Sequence, residues 1–186
     1  MRIISGDLKG KTITFLKSSV TRPLKDSVKE NIFNILKHSN LLTVNLKNSN
    51  ILDLYSGIGS FGLECISRGA KRVTFVEKDK NAFSILNENL INLNIEERST
   101  IFKEKIEFFL KEGLFEKFEI IFLDPPFSDN SYLGILKSIR EKKICKKNHI
   151  IIVHREKKSL DNFKDILHPL IVKQYGRSKI IFGKLI

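Results

Sequence analysis

With 186 residues, of which 41% are hydrophobic, the chain has the length and apolar content for one packed domain with a small appendage. Its charged residues, 29% of the total, alternate with Ile, Leu and Phe, which excludes a disordered chain, and no apolar run approaches the ~20 residues of a membrane-spanning helix. The net charge of +12 comes with a composition in which Ile, Lys, Asn and Phe supply 79 residues and Arg only 8, so the lysine total alone carries little functional meaning.

In chain order, residues 2–5 and 11–15 read as short strands around a turn from Gly6 to Gly10, a hairpin. Thr21, Arg22 and Pro23 break the chain. Ser27 and Glu30 then have the spacing of a capping box, with Val28, Ile32, Phe33 and Leu36 following at helical intervals. The polar, Asn-rich stretch 38–50 marks a junction, dividing the chain into an extension (1–47) and a main domain (48–186). From Ile51 onward strands and helices alternate. The pattern predicts strands over 51–55, 72–77, 100–103, 120–124, 150–154, 170–175 and 179–185. Helices are predicted over 60–68, 81–92, 106–111, 132–142 and 160–167. This order implies an α/β, Rossmann-like, doubly wound and mostly parallel sheet. The last two strands are joined by Gly176, Arg177 and Ser178, too short a link for a parallel crossover, so the sheet is expected to end in an antiparallel hairpin.

Cys65 and Cys145 lie among apolar neighbours without metal-ligand spacing and read as small buried side chains. His38, His149, His154 and His168 form no spaced pair, so no metal is expected. The opening residues 1–11 lack the apolar segment of a secretory signal, and a soluble, cytoplasmic monomer is expected. Charge is unevenly spread: residues 1–47 carry +6, 48–130 carry −4 and 131–186 carry +10. A basic periphery around an acidic centre suits a polyanionic partner held over a small-molecule site.

Two motifs carry chemistry. In the first, the apolar strand at Ile51 runs through Asp53 and Tyr55 into Gly57, Gly59 and Gly62, with Glu77 at the end of the next strand and Lys78 after it. Taken as G-x-G-x-x-G, the glycines match a dinucleotide fingerprint. Asp53 tilts the choice, because a carboxylate in the strand would repel a pyrophosphate at the helix N-terminus. S-adenosylmethionine has no phosphate and carries an ammonium and a sulfonium, which that carboxylate favours. Glu77 is then placed to accept hydrogen bonds from the ribose hydroxyls. The bland alternatives are a helix cap for Asp53 and an exposed strand-end charge for Glu77.

The second motif is the buried strand ending in Asp124, Pro125, Pro126 and Phe127. An amino group on a nucleobase could donate to the Asp124 carboxylate and to the Pro125 carbonyl, turning its lone pair toward a methyl donor. Phe127 would stack on the base, a contact worth ~1–3 kcal/mol. An exocyclic amine conjugated to its ring is a poor nucleophile, so positioning and electrostatics must carry the catalysis.

The chain resembles the bacterial 16S ribosomal RNA guanine-N2 methyltransferase family of the RsmD type, nearly from end to end. The resemblance rests on Arg2 to Gly6 with Lys9, Gly10 and Lys11, on Thr21, Arg22, Pro23, Asp26, Val28, Glu30, Asn31, Phe33 and Asn34, and on the Asp53–Gly62 loop. It continues through Glu64, Ser67 to Ala70, Glu77, Asp124 to Phe127, and Tyr175 with Gly176. The resemblance implies a class I S-adenosylmethionine-dependent methyltransferase acting on 16S rRNA or a small-subunit assembly intermediate. It implies cofactor contacts at Asp53, Gly57 and Glu77 and near residues 104–106, and catalysis at Asp124, Pro125, Pro126 and Phe127; Tyr55, Gly59 and Lys78, beside those cofactor residues, are expected to join the cofactor site. Arg22, Lys25 and Lys29 are expected to touch RNA phosphate. The sequence departs from the family at Lys105 and Ile106, where relatives carry Asp or Asn before a small residue, and at Lys25, Ser27 and Lys29, which replace Thr and Arg. Rival readings are a DNA adenine or cytosine amino-methyltransferase, for which no segment is long enough to recognise a target sequence, and a dinucleotide oxidoreductase, which leaves Asp124 to Phe127 unexplained.

Overall fold

Alternating apolar residues build the molecule around a sheet buried on both faces. The computed structural model describes residues 1–15, 24–112 and 116–186. Strands β1 (Asn50–Leu54), β2 (Arg72–Val76), β3 (Ser99–Phe102), β4 (Phe118–Leu123), β5 (Cys145–Glu156), β6 (Leu167–Tyr175) and β7 (Ser178–Leu185) form one sheet in the order β3-β2-β1-β4-β5-β7-β6. β1 to β5 run parallel, and β7 lies antiparallel between β5 and β6. Helices α2 (Ser60–Ser67), α3 (Lys80–Leu93), α4 (Ile106–Glu112) and α5 (Tyr132–Glu141) lie on the four crossovers, and α1 (Asp26–His38) precedes the sheet. The short link after β6 forces the antiparallel ending that the sequence predicted.

Successive side chains on a strand point to opposite faces, and here each face has its own core. Ile51, Val73, Phe75, Ile120, Phe122, Ile150, Ile152, Ile180 and Phe182 pack with α1, α2, α3 and the N-terminal segment. Leu52, Leu54, Val76, Ile121, Leu123, Ile151, Val153 and Ile181 pack with α4 and α5. Ile3 and Ile13 of the N-terminal segment, and Val28, Ile32 and Phe33 of α1, belong to the first of these cores. Phe33, Phe61 and Phe122 stack in a column from α1 through α2 to β4, with centroids 5.3 and 4.1 Å apart. Each such pair contributes about 0.5–1.5 kcal/mol beyond the area it buries.

The N-terminal hairpin reduces to one antiparallel bridge, Arg2 to Thr12, flanked by Ile3 N–H donating to Lys11 O and Ile13 N–H donating to Met1 O. What anchors it is Glu64 on α2. This buried carboxylate accepts from Ile4 N–H at 2.8 Å, Ser5 N–H at 3.0 Å and Arg68 Nε at 2.7 Å. Ser67 adds a bond to the Ser5 carbonyl and accepts from Leu8 N–H.

Two sequence expectations are corrected. The capping box at Ser27 and Glu30 is absent, because α1 starts one residue earlier at Asp26 and its N-cap, Lys25, makes no side-chain cap bond. The helix expected over 160–167 is irregular chain leading into β6. Leu160 is fully exposed, Asp161 is tied to β5 and β7, and Asp165 takes a left-handed φ of 60° that a helix does not tolerate. β5 is also longer than expected, because its first half is polar and the apolar pattern starts only at Ile150.

Replacing Glu64 by Ala leaves two backbone N–H groups and the Arg68 guanidinium without their acceptor. Breaking such a buried pair costs about 3–5 kcal/mol. Chemical denaturation of Glu64→Ala should read that loss, and hydrogen exchange should report lost protection at Ile4 and Ser5. A variant within about 1 kcal/mol of the parent, well below that cost, would mean the N-terminal segment is held by its apolar contacts alone.

Candidate active site

The order of strands changes direction between β1 and β4. From β1 the chain moves outward through β2 and β3, and then crosses back to β4 and β5 on the other side. Such a switch point opens a crevice at the carboxyl ends of the strands. The parallel register pairs Asp53 with Phe122 and Leu54 with Leu123, and Asp124 N–H donates to Leu54 O at 3.4 Å. The two sequence motifs therefore leave the sheet side by side.

On the β1 side, the chain turns sharply at Tyr55, which has a left-handed φ of 59°, and again at Gly57 and Gly59 with φ of 55° and 86°. A non-glycine residue in that region costs of order 1–3 kcal/mol, and such strain clusters at ligand-binding turns. Ser56 holds the turn, accepting from Val76 N–H at 2.9 Å and donating to the Asp53 carbonyl at 2.5 Å. Gly59 is the N-cap of α2. The Asp53 side chain is buried and accepts from Gly62 N–H at 3.0 Å, so it holds the first turn of α2 from below. Glu77, half-buried after β2, accepts from Gly57 N–H at 2.7 Å and from Asp79 N–H at 2.7 Å, linking the loop to the start of α3. Lys78 is exposed beside it. Lys105 precedes α4, and its carbonyl accepts from Phe108 and Phe109 N–H.

Burial pushes the Asp53 carboxyl well above its ordinary value, the Gly62 N–H opposes this, and the negative charges of Asp124 and Glu77 raise it further. Three carboxylates thus converge at the strand ends. Their mutual repulsion is relieved by a cation and worsened by a phosphate. The residues fit an adenosyl cofactor that carries positive charge, and the glycine turn leaves room above Gly57, where an added Cβ would meet nothing within 4 Å.

On the β4 side, Asp124 is half-buried, Pro125 buried, Pro126 exposed and Phe127 half-buried. The Asp124 carboxylate lies 2.7 Å from His154 Nδ1, and the Phe127 ring meets the His154 ring edge-on at 5.4 Å. Asp129 N–H donates to Pro126 O at 2.8 Å, and Tyr55 Oη donates to the Asp129 carboxylate at 3.4 Å, joining the two motifs across the crevice.

Sequence reasoning missed Arg155, among the most buried large side chains of the protein. Its guanidinium donates to the carbonyls of Pro126, Phe127 and Asp129 and to Asn130 Oδ1, at 3.0–3.3 Å. It also donates to Asp161 at 3.0 Å and lies 4.4 Å over the Tyr132 ring. The loop that carries the second motif is therefore held by a side chain from β5. Asp161 in turn binds Lys179, Tyr132 and Ser159. His154 was also missed, since it follows an apolar run and reads as a strand end.

The phosphate-binding set is brought together only in part. Lys25 is exposed at the start of α1. Arg22 lies outside the described residues. Lys29 is corrected: its side chain is fully buried, with Nζ 3.2 Å from Ser60 Oγ and 3.4 Å from Asp26, and it ties α1 to α2 inside the core. The signal was present, since position 29 shares the helical face of Phe33 and Leu36, four and seven residues on.

A family model described as conserved hypothetical protein 95 matches residues 1–184. Ribosomal RNA small subunit methyltransferase D of Buchnera aphidicola is 35% identical over 156 residues, 84% of this chain and 78% of its own length. The protein of the same name from Haemophilus influenzae is 35% identical over 159 residues, 84% of this chain and 79% of its own length. A solved Haemophilus influenzae structure described as a methylase matches with a TM-score of 0.78 at 30% identity, covering 98% of this chain and 96% of that one. An Escherichia coli structure described as a methyltransferase matches in fold with a TM-score of 0.84 at 24% identity, over 100% of this chain and 97% of that one.

Asp161 also gives the site a measurable acid response. Burial alone would raise its carboxyl, but hydrogen bonds from Lys179, Tyr132, Ser159 and Arg155 outweigh it and bring it from 3.8 to about 2. A depressed carboxyl adds stability that is present above its unfolded value and lost as the pH falls through its folded one. That contribution should be lost between about pH 4 and pH 2. Denaturation followed across that window should give a shallower pH dependence for Asp161→Asn, and an unchanged slope would remove Asp161 as its source.

The fold, the crevice and the relatives agree: the chain belongs to the conserved hypothetical protein 95 family, which includes the ribosomal RNA small subunit methyltransferases D.

Proposed function

We propose that this protein transfers a methyl group from S-adenosylmethionine to the 2-amino group of a guanine in small-subunit ribosomal RNA. The observation that carries the reading is the meeting of the acidic glycine loop and the Asp124–Phe127 loop in one crevice, at the ends of paired strands β1 and β4. The relatives named for rRNA methylation support the substrate class. The cofactor's chemistry is an electrophilic methyl group on a sulfonium sulfur.

In this reading Asp53 and Glu77 supply negative charge toward the cofactor, and the turn through Tyr55, Gly57 and Gly59 admits it close to the backbone. Lys78 lies at the rim. Asp124 accepts one N–H of the guanine amine and the Pro125 carbonyl accepts the other, leaving the nitrogen lone pair aimed at the methyl group. Pro126 stiffens the turn, and Phe127 stacks on the base. As the N–C bond formed, the methyl–sulfur bond would break, its electron pair leaving with the neutral thioether S-adenosylhomocysteine, and the methylated amine would lose its extra proton to the Asp124 carboxylate. Lys25 and Arg22 contact RNA phosphate, and the enzyme acts as a monomer in the cytoplasm on 16S rRNA or an assembly intermediate.

The two halves of the crevice are separable by mutation. Asp124→Ala should lower single-turnover methylation of small-subunit rRNA by about 10²–10³-fold while S-adenosylhomocysteine affinity stays within a few-fold. Glu77→Ala should weaken that affinity by about 10- to 150-fold. Calorimetry and transfer of a radiolabelled methyl group measure both. Near-normal turnover in Asp124→Ala would sink the reading.

A further inference from the structure

We propose that His154 is the positioning residue for Asp124 and fixes which carboxylate oxygen receives the substrate amine; this rests on the role given to Asp124 above. His154 lies on β5, where the antiparallel register to β7 pairs it with Ile180 and sets its backbone. Val153 pairs with Leu123, so His154 stands beside the first residue after β4, Asp124. Its Nδ1 lies 2.7 Å from Asp124 Oδ1. An ionised carboxylate only accepts, so Nδ1 carries the proton and donates it. That bond engages Oδ1 and holds the carboxyl rotamer, leaving Oδ2 as the acceptor for the amine.

The other ring nitrogen tells the same story. His154 is 8% exposed, and Nε2 has no hydrogen-bond partner among the described residues. A buried acceptor without a donor costs about 1–3 kcal/mol, and each such group in a folded protein calls for an explanation. The ring is not placed to satisfy itself; it is placed to put Nδ1–H on Asp124 and its edge against Phe127. One side chain thereby touches both the residue that orients the amine and the ring that stacks on the base.

The test separates the donor from the ring. His154→Phe keeps an aromatic ring but has no donor, whereas His154→Asn carries an amide N–H near the position of Nδ1. His154→Phe should lower kcat for rRNA methylation by about 10- to 100-fold, with KM for RNA and S-adenosylhomocysteine affinity within a few-fold. His154→Asn should restore kcat to within a few-fold of the parent. Because His154 acts through Asp124, adding His154→Phe to Asp124→Ala should lower the residual rate no further. Full activity in His154→Phe, failure of His154→Asn to restore kcat, or additive losses in the double variant would each overturn the proposal. If Asp124→Ala itself is active, the proposed reaction fails instead, and the outcomes are distinct.

Discussion

The parallel pairing of β1 with β4 is the constraint on which the site depends. It places the ends of two strands, separated by about seventy residues of chain, at one hydrogen-bonding spacing of ~4.8 Å. The two carboxylates lie on the same face: Asp53, next to last in β1, follows Ile51, and Asp124, the first residue after β4, follows Ile120 and Phe122. Asp53 and Asp124, close enough to raise the Asp53 carboxyl together with Glu77 just after β2, are electrostatically unfavourable neighbours in a poorly solvated crevice. The protein tolerates this through hydrogen-bond donors, three of them backbone N–H groups and one an imidazole. Gly62 N–H serves Asp53, Gly57 and Asp79 N–H serve Glu77, and His154 serves Asp124. These donors stabilise each carboxylate singly but do not neutralise the set. A cationic ligand would relieve that repulsion, and a pyrophosphate at the same glycine turn would add to it.

The N-terminal segment is part of this arrangement. Glu64 binds Ile4 and Ser5 from the helix that begins at Gly59, and buried Lys29 meets Ser60 at that helix's first residue. Asn89 on α3 exchanges hydrogen bonds with Thr14 and also donates to the Ile58 carbonyl in the glycine turn. The segment that the sequence sets apart as an extension therefore shares its anchors with the glycine turn. Any contact it makes with RNA is held at a fixed distance from that loop.

Most of the fold was legible because the apolar periods were long and regular: the runs at Ile51, Val73, Ile120 and Ile150 gave strands in the right order, and the short link at Gly176 and Arg177 gave the antiparallel ending. Both motifs were legible because their chemistry is local. The failures share one cause, which is that partner groups came from distant chain. Lys29 shares the buried face of α1, but its partner Ser60, which accepts its hydrogen bond, lies 31 residues away. Residues 160–167 have helical apolar spacing, but Asp161 is claimed by Arg155 and Lys179 and the segment is held out of a helix. His154 and Arg155 read as the polar end of a strand because their partners lie 25–30 residues earlier in the sequence.

Those two missed residues explain how the second motif stays in place. Successive positions on a strand face opposite sides of the sheet. His154 continues the face of Ile150 and Ile152, and Arg155 that of Ile151 and Val153, where its guanidinium lies over Tyr132. The Asp124–Asn130 loop is consequently gripped from both faces by neighbours on one rigid element: its carboxylate by an imidazole, its carbonyls by a buried guanidinium. Two prolines restrict the chain between those grips, fixing φ at each. An amine that reacts only when its lone pair is aimed correctly needs acceptors that do not move when it arrives, since reorganising them would be charged to the barrier. β5 supplies that rigidity. The strand that the sequence presents as plain core therefore determines the geometry of the loop where the reaction would occur.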